Sequence, residues 1–518
     1  MNHDDQLSKI FQPPPQSHHV GGSMSISPRP HGLSKSRITY FEQCPKRLWL
    51  SVHRPELAED DEGAEAWFAA GHEVGAAACS LLPGGVMVEA EPDLSAALAT
   101  TKALLENGHE DPIFEATFQH DGVLVRVDIL EPNGLGGWHM AEVKSSTKPR
   151  DYHTNDLATQ VWVAREAGVP IDSAAIRHLD SDFVLKPDGS LEGLFFDSDL
   201  TSNIQDRVET RAAVVAAARE TLTGSEPSIL PGPHCNGLPC NFATYCEAAL
   251  PPGPEWPVTV LPYGGGNQWL KRGVEDLFEV DPAALTNPTH QRVFQATLTG
   301  EPDHNVEGAR SAMSDWAFPR TWLDFETIAF AIPRWVGTRP YQQVPFQFSA
   351  HIEAEDGSLQ HHEFLSLDGA DPRKSCAEAL VTMIPRSGAV VAYNASFEKG
   401  RLRELADFFP DLADDLNSII ERVVDLLPVT RANWYHRDQR GSWSIKAVLP
   451  TVAPDLDYSE LEVKDGGNAQ TAYLEAISPA TTEDRRAALD TALRAYCGRD
   501  TEAMIVLARH LCQSGDGF

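Results

Sequence analysis

The sequence predicts an α/β protein built from two units in series. Three observations predict it. Short apolar-alternating runs with the period of half-buried strands, such as Gly122–Leu130 and Thr321–Ile328, alternate with stretches of helical spacing. The Pro-rich segment Leu250–Pro262 (LPPGPEWPVTVLP) interrupts that alternation. The length of 518 residues exceeds what one hydrophobic core usually organises. The expected division is a disordered N-terminal arm over 1–33, a first α/β domain over 34–250, a connector over 251–315 and a second α/β domain over 316–518. Within the connector, helical stretches are expected at Trp269–Phe278 and His290–Leu298, with a polar segment, Gly300–Gly308, after them.

Composition narrows the class. Hydrophobic residues make up 42% and charged residues 23%, which excludes a mostly disordered or fibrous chain. No apolar run reaches the roughly 18 residues of a membrane span. Residues 1–33 lack the charged-then-apolar order of a signal peptide, and Met24 is an alternative start. A soluble, cytoplasmic protein with no membrane partner is therefore expected. Acidic residues number 75 against 42 basic, a net charge of −33 that repels nucleic acid unless a local basic groove or bound cations intervene. Eight cysteines without a secretory signal point to reduced thiols and a metal centre rather than a disulfide framework.

In the first domain, Val123, Val125, Val127 and Ile129 share one strand face, and Asp128 points away from them. A turn containing Pro132, Asn133, Gly134 and Gly136 leads into Trp138–Ser146, where Glu142 and Lys144 lie two apart on one face. Paired strands can bring all three together. Carboxylates are hard ligands suited to Mg²⁺ or Mn²⁺, and a neighbouring lysine can orient an attacking water. An isolated Glu-x-Lys is equally the ion pair of a surface hairpin. Downstream, Asn155–Gly168 reads as a helix carrying Gln160. This order of Asp, Glu-x-Lys and helical Gln resembles the PD-(D/E)XK nucleases of the RecB family. The resemblance implies a restriction-endonuclease-like fold in which Asp128 and Glu142 bind metal, Lys144 is catalytic and Gln160 supports the site. Glu115 is a further carboxylate on the preceding strand-like stretch. At the family's upstream histidine position the run Gly71-His72-Glu73-Val74-Gly75 presents glycine, and His72 reads as an ordinary helix residue.

Cys235, Cys240 and Cys246 cluster in HCNGLPCNFATYC, and Cys44 lies far upstream in YFEQCPKRLWL. They meet only if the first domain folds back on itself. Clustered thiolates suit an iron–sulfur cluster or zinc. The arrangement resembles the iron–sulfur RecB-like nucleases, AddB and the CRISPR adaptation nucleases among them. It implies a 4Fe–4S cluster on Cys44, Cys235, Cys240 and Cys246 that staples the ends of the domain together. The wider gap between Cys235 and Cys240 than those families commonly show keeps zinc as the alternative. Cys79, Cys376, Cys497 and Cys512 lie in apolar helical surroundings and read as inert thiols.

In the second domain, Asp324 and Glu326 share a strand face, a juxtaposition that repels unless a cation is present. A second apolar strand, Gly388–Tyr393, runs into a helix with Glu398 in its first turns, and Tyr496 and Asp500 stand four apart on a later helix. The order resembles the three exonuclease motifs of the DEDD superfamily in its tyrosine subtype. That resemblance implies an RNase H-like fold, two Mg²⁺ or Mn²⁺ ions on Asp324, Glu326, Glu398 and Asp500, and a water oriented by Tyr496. Glu398 stands where the superfamily usually has Asp. The chain from about Leu33 to Leu511 resembles a bacterial family in which such a nuclease domain precedes a domain of unknown function.

The stretch Arg431–Lys446 interleaves Arg431, Arg437, Arg440 and Lys446 with Trp434, Tyr435 and Trp443. Aromatic faces stack on unpaired bases while Arg binds phosphate, so these seven residues are a candidate single-strand contact; a plain surface loop with core tryptophans is the other reading. The expectation is a metal-dependent nuclease with a RecB-like site and a 3′–5′ exonuclease site, acting on DNA with single-stranded ends in repair, recombination or phage defence. The competing classes are a nucleic-acid-binding or scaffold protein with one or both sites silent, and an RNA-processing exonuclease.

Overall fold

A computed structural model describes residues 32–59, 64–90, 93–236, 238–456 and 458–513. The expected arm, with Met24, lies outside the described residues except at its end. There Leu33 is already part of the fold, 2% exposed and paired with Val123.

The first unit is a mixed sheet wrapped by helices. Its strands are β1 (Leu33–Ser34), β2 (Val86–Met87), β3 (Ile113–His120), β4 (Val123–Pro132), β5 (Trp138–Lys144), β6 (Ile171–Leu179) and β7 (Phe195–Asp199). They run in the order β2-β3-β4-β5-β6-β7, with β1 alongside β4. β3, β4 and β5 form an antiparallel meander, and β6 then lies parallel to β5. A parallel neighbour requires a crossover, supplied by the helix Asp151–Glu166. The alternation in β4 buries Val123, Val125, Val127 and Ile129 and leaves Leu124, Arg126 and Asp128 half-buried. The crossover helix buries Leu157, Ala158, Val161 and Trp162 in the same core. The helices Lys35–Gln43, Pro45–His53 and Gln205–Thr223 pack against one another and bury Ile38, Leu48, Val208, Val215 and Leu222 in the same core.

The segment expected to be a connector is part of the second core. Trp256, Val258, Leu261, Trp269, Leu277, Val293 and Phe294 share one cluster with Trp322, Val391, Leu426 and Met504. Burial of its aromatic and branched side chains integrates it, although its backbone is mostly irregular. The helix expected over Trp269–Phe278 is only Asn267–Leu270, because Gly273 takes a left-handed φ of 77° and a 3₁₀ turn, Leu277–Glu279, follows. The second stretch does form, as Pro288–Thr299. The polar segment after it holds β8 (Asp303–His304) and opens the helix Val306–Met313.

The second sheet contains β9 (Arg320–Ile328), β10 (Val344–Glu353), β11 (Leu359–Leu365), β12 (Val390–Ala392) and β13 (Val423–Asp425), while β14 (Trp434–Tyr435) pairs with β8. Its order is β11-β10-β9-β12-β13. β9 is central, antiparallel to β10 and parallel to β12. Leu323 and Phe325 face a core with Cys376, Leu380 and Leu402. The opposite face, with Trp322, Asp324 and Glu326, lies under the C-terminal helix Glu483–Leu511. A strand buried on both faces would read as continuously apolar, so two acids on one face of β9 are a departure that demands a chemical reason.

The units touch through the loop between β9 and β10. Ala331 and Ile332 join a cluster with Val74, Leu179, Phe183 and Leu185 of the first unit. Leu185 N–H donates to Thr338 O at 3.0 Å, Gly337 N–H to Leu185 O at 2.8 Å, and Tyr341 O–H to Ser145 O. Among the described residues no helix is long and apolar enough to cross a membrane.

Candidate functional site

Asp128 on β4, Glu142 and Lys144 on β5, and Gln160 on the crossover helix meet at one corner of the first sheet. Glu142 is 1% exposed and both of its oxygens are engaged. Oε1 accepts from Lys144 Nζ at 2.8 Å and from Lys35 Nζ at 2.5 Å; Oε2 accepts from Gln160 Nε2 at 2.5 Å. Lys144 Nζ also donates to Asp156 Oδ2 at 3.2 Å, and Thr39 Oγ1 donates to Asp156 Oδ1 at 2.6 Å. Asp128 Oδ2 accepts from the Val143 backbone N–H at 2.7 Å, which fixes the carboxylate against β5.

Burial by itself would raise the Glu142 carboxyl, but the Lys144 and Lys35 ammonium groups reverse this and hold it well below the usual range. Asp128 shifts the other way: burial, then the Glu142 charge, push it up to about 7. Burial works against the Lys144 charge, and Glu142 and Asp156 outweigh it, so the ammonium is held on. Lys144 therefore offers a fixed positive charge, and Asp128 the proton exchanged near neutrality. A divalent ion at this corner would replace that proton. Glu115 pairs with Arg126 Nε at 3.1 Å, and His72 is exposed on the helix Ala64–Ser80. Lys35, Thr39 and Asp156 were invisible in the sequence as site residues. They reach the corner from helices whose packing no local pattern encodes.

Cys44 ends the helix Lys35–Gln43, Cys235 lies in the turn Pro233–Asn236, Cys240 in the loop after it and Cys246 in the helix Ala243–Ala248. All four line one cavity of about 90 Å³, walled also by Leu50, Ile229 and Phe242. Gln43 Nε2 donates to Leu238 O at 2.7 Å and ties the two cysteine-bearing segments together. Burial pushes the Cys246 thiol up, opposed first by the Lys46 ammonium. Elsewhere, Cys376 and Cys497 are fully buried, while Cys79 and Cys512 are half-buried.

In the second unit Asp324, Glu326 and Asp500 each present a carboxylate oxygen within 4.8 Å of the others. They line a cavity of about 200 Å³ with Tyr393, Phe397, Glu398, Lys446 and Tyr496. Glu398 is 3% exposed and stands outside the close trio; its Oε2 has no hydrogen-bond partner. A carboxylate oxygen without a hydrogen-bond partner, in a cavity lined by three other acids, is a donor set that could hold a hard cation. Burial pushes Glu398 and Glu326 up to about 8, the Asp500 charge adding to the latter. Asp324 is raised well above the carboxylate range by burial, then by Asp500, Glu326 and Glu398. Asp500 is raised by burial, against which the Tyr458 hydrogen bond works.

Three neighbours hold this pocket in shape. Asp425 accepts from the backbone N–H groups of Asn394 at 3.0 Å and Ala395 at 3.1 Å, securing the corner before the Glu398 helix, where Asn394 has a φ of 72°. Tyr458 O–H donates to Asp500 Oδ1 at 2.6 Å. Lys446 Nζ donates to Tyr496 Oη at 3.0 Å. Asp425 and Tyr458 carry no motif that would have singled them out.

The expected base-stacking stretch requires correction. Trp434, Tyr435 and Trp443 are 3%, 0% and 4% exposed, so none offers a face to a base. Trp443 Nε1 donates to Trp434 O at 2.8 Å, and all three belong to the second core. Arg437 and Arg440 lie over the Trp256 ring and Arg431 over the Tyr263 ring. Lys446 alone of the seven reaches a candidate site.

A family described as Domain of unknown function (DUF2779) matches residues 321–444. An "Uncharacterized protein MG366 homolog" of Mycoplasma pneumoniae is 28% identical over 207 residues, covering 36% of this chain and 31% of the relative. "Uncharacterized protein UU173" of Ureaplasma parvum is 26% identical over 211 residues, covering 36% and 30%. The chain thus spans about a third of the length of these relatives. A solved structure titled "Crystal structure of SSO0001" covers 48% of this chain and 93% of its own at 15% identity, with a TM-score of 0.23, too slight a likeness to bear on the fold.

Proposed function

We propose that the chain is a metal-dependent nuclease with two hydrolytic centres, the pocket of the second unit being a 3′–5′ exonuclease site. The observation that carries this reading is the close trio of half-buried Asp324 with buried Glu326 and Asp500, Glu398, Tyr496 and Lys446 lining the same cavity. Three carboxylates held this close, with a fourth lining the same cavity, resist full ionisation unless cations occupy the pocket. Mg²⁺ or Mn²⁺ held by Asp324, Glu326 and Asp500, with Glu398 in reach of the cavity, would supply an activated water and charge to stabilise the leaving 3′ oxygen. The chain's own groups do the rest. Tyr496 presents its hydroxyl to the water, Lys446 holds that hydroxyl and brings positive charge for a phosphate, and Tyr458 fixes the orientation of Asp500.

The antiparallel meander extended by parallel strands supports an RNase H-like reading of the second sheet. In the first unit, the meander and crossover helix that assemble Asp128, Glu142, Lys144 and Gln160 support a PD-(D/E)XK reading. The four-cysteine cavity supports a cluster that closes the unit. DNA with single-stranded ends is the proposed substrate. A 5′-labelled single strand, supplied as DNA and separately as RNA to a Lys144→Ala variant with Mg²⁺ or Mn²⁺, should shorten stepwise from its 3′ end and release nucleoside 5′-monophosphates. An intact strand under both ions, or label freed first as mononucleotide, overturns the exonuclease assignment. Faster trimming of the RNA strand would reassign the substrate.

A further inference from the structure

Lys35, like Asp156, reaches the first site without a motif or spacing that explains it. It sits in the first turn of the helix Lys35–Gln43, and its ammonium lies 2.5 Å from Glu142 Oε1, the oxygen that also accepts from Lys144. The two lysines are not equivalent. Lys144 has a second carboxylate anchor, Asp156 at 3.2 Å, whereas Glu142 is the carboxylate that Lys35 engages in a salt bridge. The two side chains are similarly exposed, Lys35 at 22% and Lys144 at 20%, each on a flexible four-carbon stem, while Glu142 is sealed at 1%. Its helix is fixed at three further points: Thr39 to Asp156, Glu42 to Arg211 at 2.7 Å, and Gln43 to Leu238.

We infer that Lys35 is a resident counter-ion of the first site, exchanged at Glu142 Oε1 for the divalent cation and thereby setting the affinity of the site for metal. The inference rests on reading this corner as a divalent-metal site. Gln160 donates to Oε2 and two ammonium groups share Oε1, so an ion that binds at Oε1 displaces one of the ammonium groups. Lys35, without the second carboxylate anchor that holds Lys144 to Asp156, is the donor released more readily. Such a site binds its ion weakly, and an anionic substrate that attracts the released ammonium tightens the binding. Metal and phosphodiester would then load together.

The test is Mn²⁺ binding, followed by the loss of the free-ion paramagnetic resonance signal, on the full chain with Asp324→Ala and Asp500→Ala removing the second pocket's ligands. Lys35→Met should bind Mn²⁺ at least roughly fivefold more tightly than this parent, because even at water's dielectric a unit charge 4 Å away changes an equilibrium by about that factor. Lys35→Arg, which keeps the charge, should restore the parent affinity. Lys35→Gln serves as a second neutral variant if the methionine variant unfolds, and cooperative thermal unfolding is the check on each. Unchanged or weaker binding in a folded neutral variant overturns the inference while leaving the metal site intact. Absence of binding at this corner in parent and neutral variant alike overturns the metal-site reading, and the inference with it.

Discussion

At the scale of single residues, the carboxyls of the second pocket are out of balance with the rest of the molecule. Glu326 and Glu398 are held at about 8 against an ordinary 4.5, so the folded chain binds protons there that the unfolded chain has released. Their contribution to stability is fully present below the ordinary range and is lost as pH rises through 8. Metal-free protein should therefore lose thermal stability between about pH 4.5 and 8 at this pocket, and Mg²⁺ should restore more of it at pH 8 than at pH 5. Glu398→Gln and Glu326→Gln should flatten that pH dependence in the metal-free protein, and calorimetry at fixed ionic strength reads it. Tyr458→Phe belongs to the same scale. It removes a hydrogen bond to a carboxylate without touching a ligand atom, a loss of about 1.5 kcal/mol and hence roughly a tenfold fall in 3′-end trimming. A Tyr458→Phe rate equal to wild type would show that Asp500 is oriented by other groups.

At the scale of elements, the sequence is most legible where local pattern and chemistry coincide. The β4–β5 hairpin, the alternation in β9 and the i, i+4 pair Tyr496 and Asp500 all follow from periodicity, and each motif side chain lies where its element places it. Contacts that depend on how one helix lies across another were not legible: Lys35 and Asp156 at the hairpin, Tyr458 and Asp425 at the pocket. The basic-aromatic stretch misled for a related reason. Charge and aromaticity at short spacing look alike whether the ring faces solvent or core, and the cluster that buries Trp434 and Trp443 gathers residues from 256–316 and from the C-terminal helix, distant in sequence from both. Trp443→Ala should accordingly cost about 3–5 kcal/mol of stability in the second unit, with single-strand affinity unchanged at temperatures where the variant stays folded. For the four thiols the expectation is anaerobically purified protein that is brown and holds iron, since thiolate-to-iron charge transfer absorbs visible light and zinc is colourless. Cys240→Ser should bleach it and loosen the first unit, while trimming by the second pocket persists. Stoichiometric zinc without iron would defeat the iron assignment.

At the scale of the whole molecule, the question is how the two candidate sites are joined. The loop that leaves β9 just after Glu326 returns to β10 only after Tyr341 has bonded the carbonyl of Ser145, the residue next to Lys144. Ala331 and Ile332 of this loop are buried among Val74, Leu179 and Phe183. The two sites are therefore mechanically adjacent along the backbone, yet no ligand-bearing side chain is shared between them. Two consequences separate. Lys144→Ala should abolish cleavage by the hairpin site alone, and Asp324→Ala trimming by the pocket alone, because each removes a charge from one constellation. Ile332→Asp should behave differently. It places an unpaired carboxylate at a position 9% exposed within the shared apolar cluster, a cost borne by both units. Calorimetry of the wild type should show one cooperative transition, and that of Ile332→Asp two, with both activities reduced at temperatures above the lower one. Two transitions already present in the wild type, unmoved by Ile332→Asp, would show that the interface does not hold the units together.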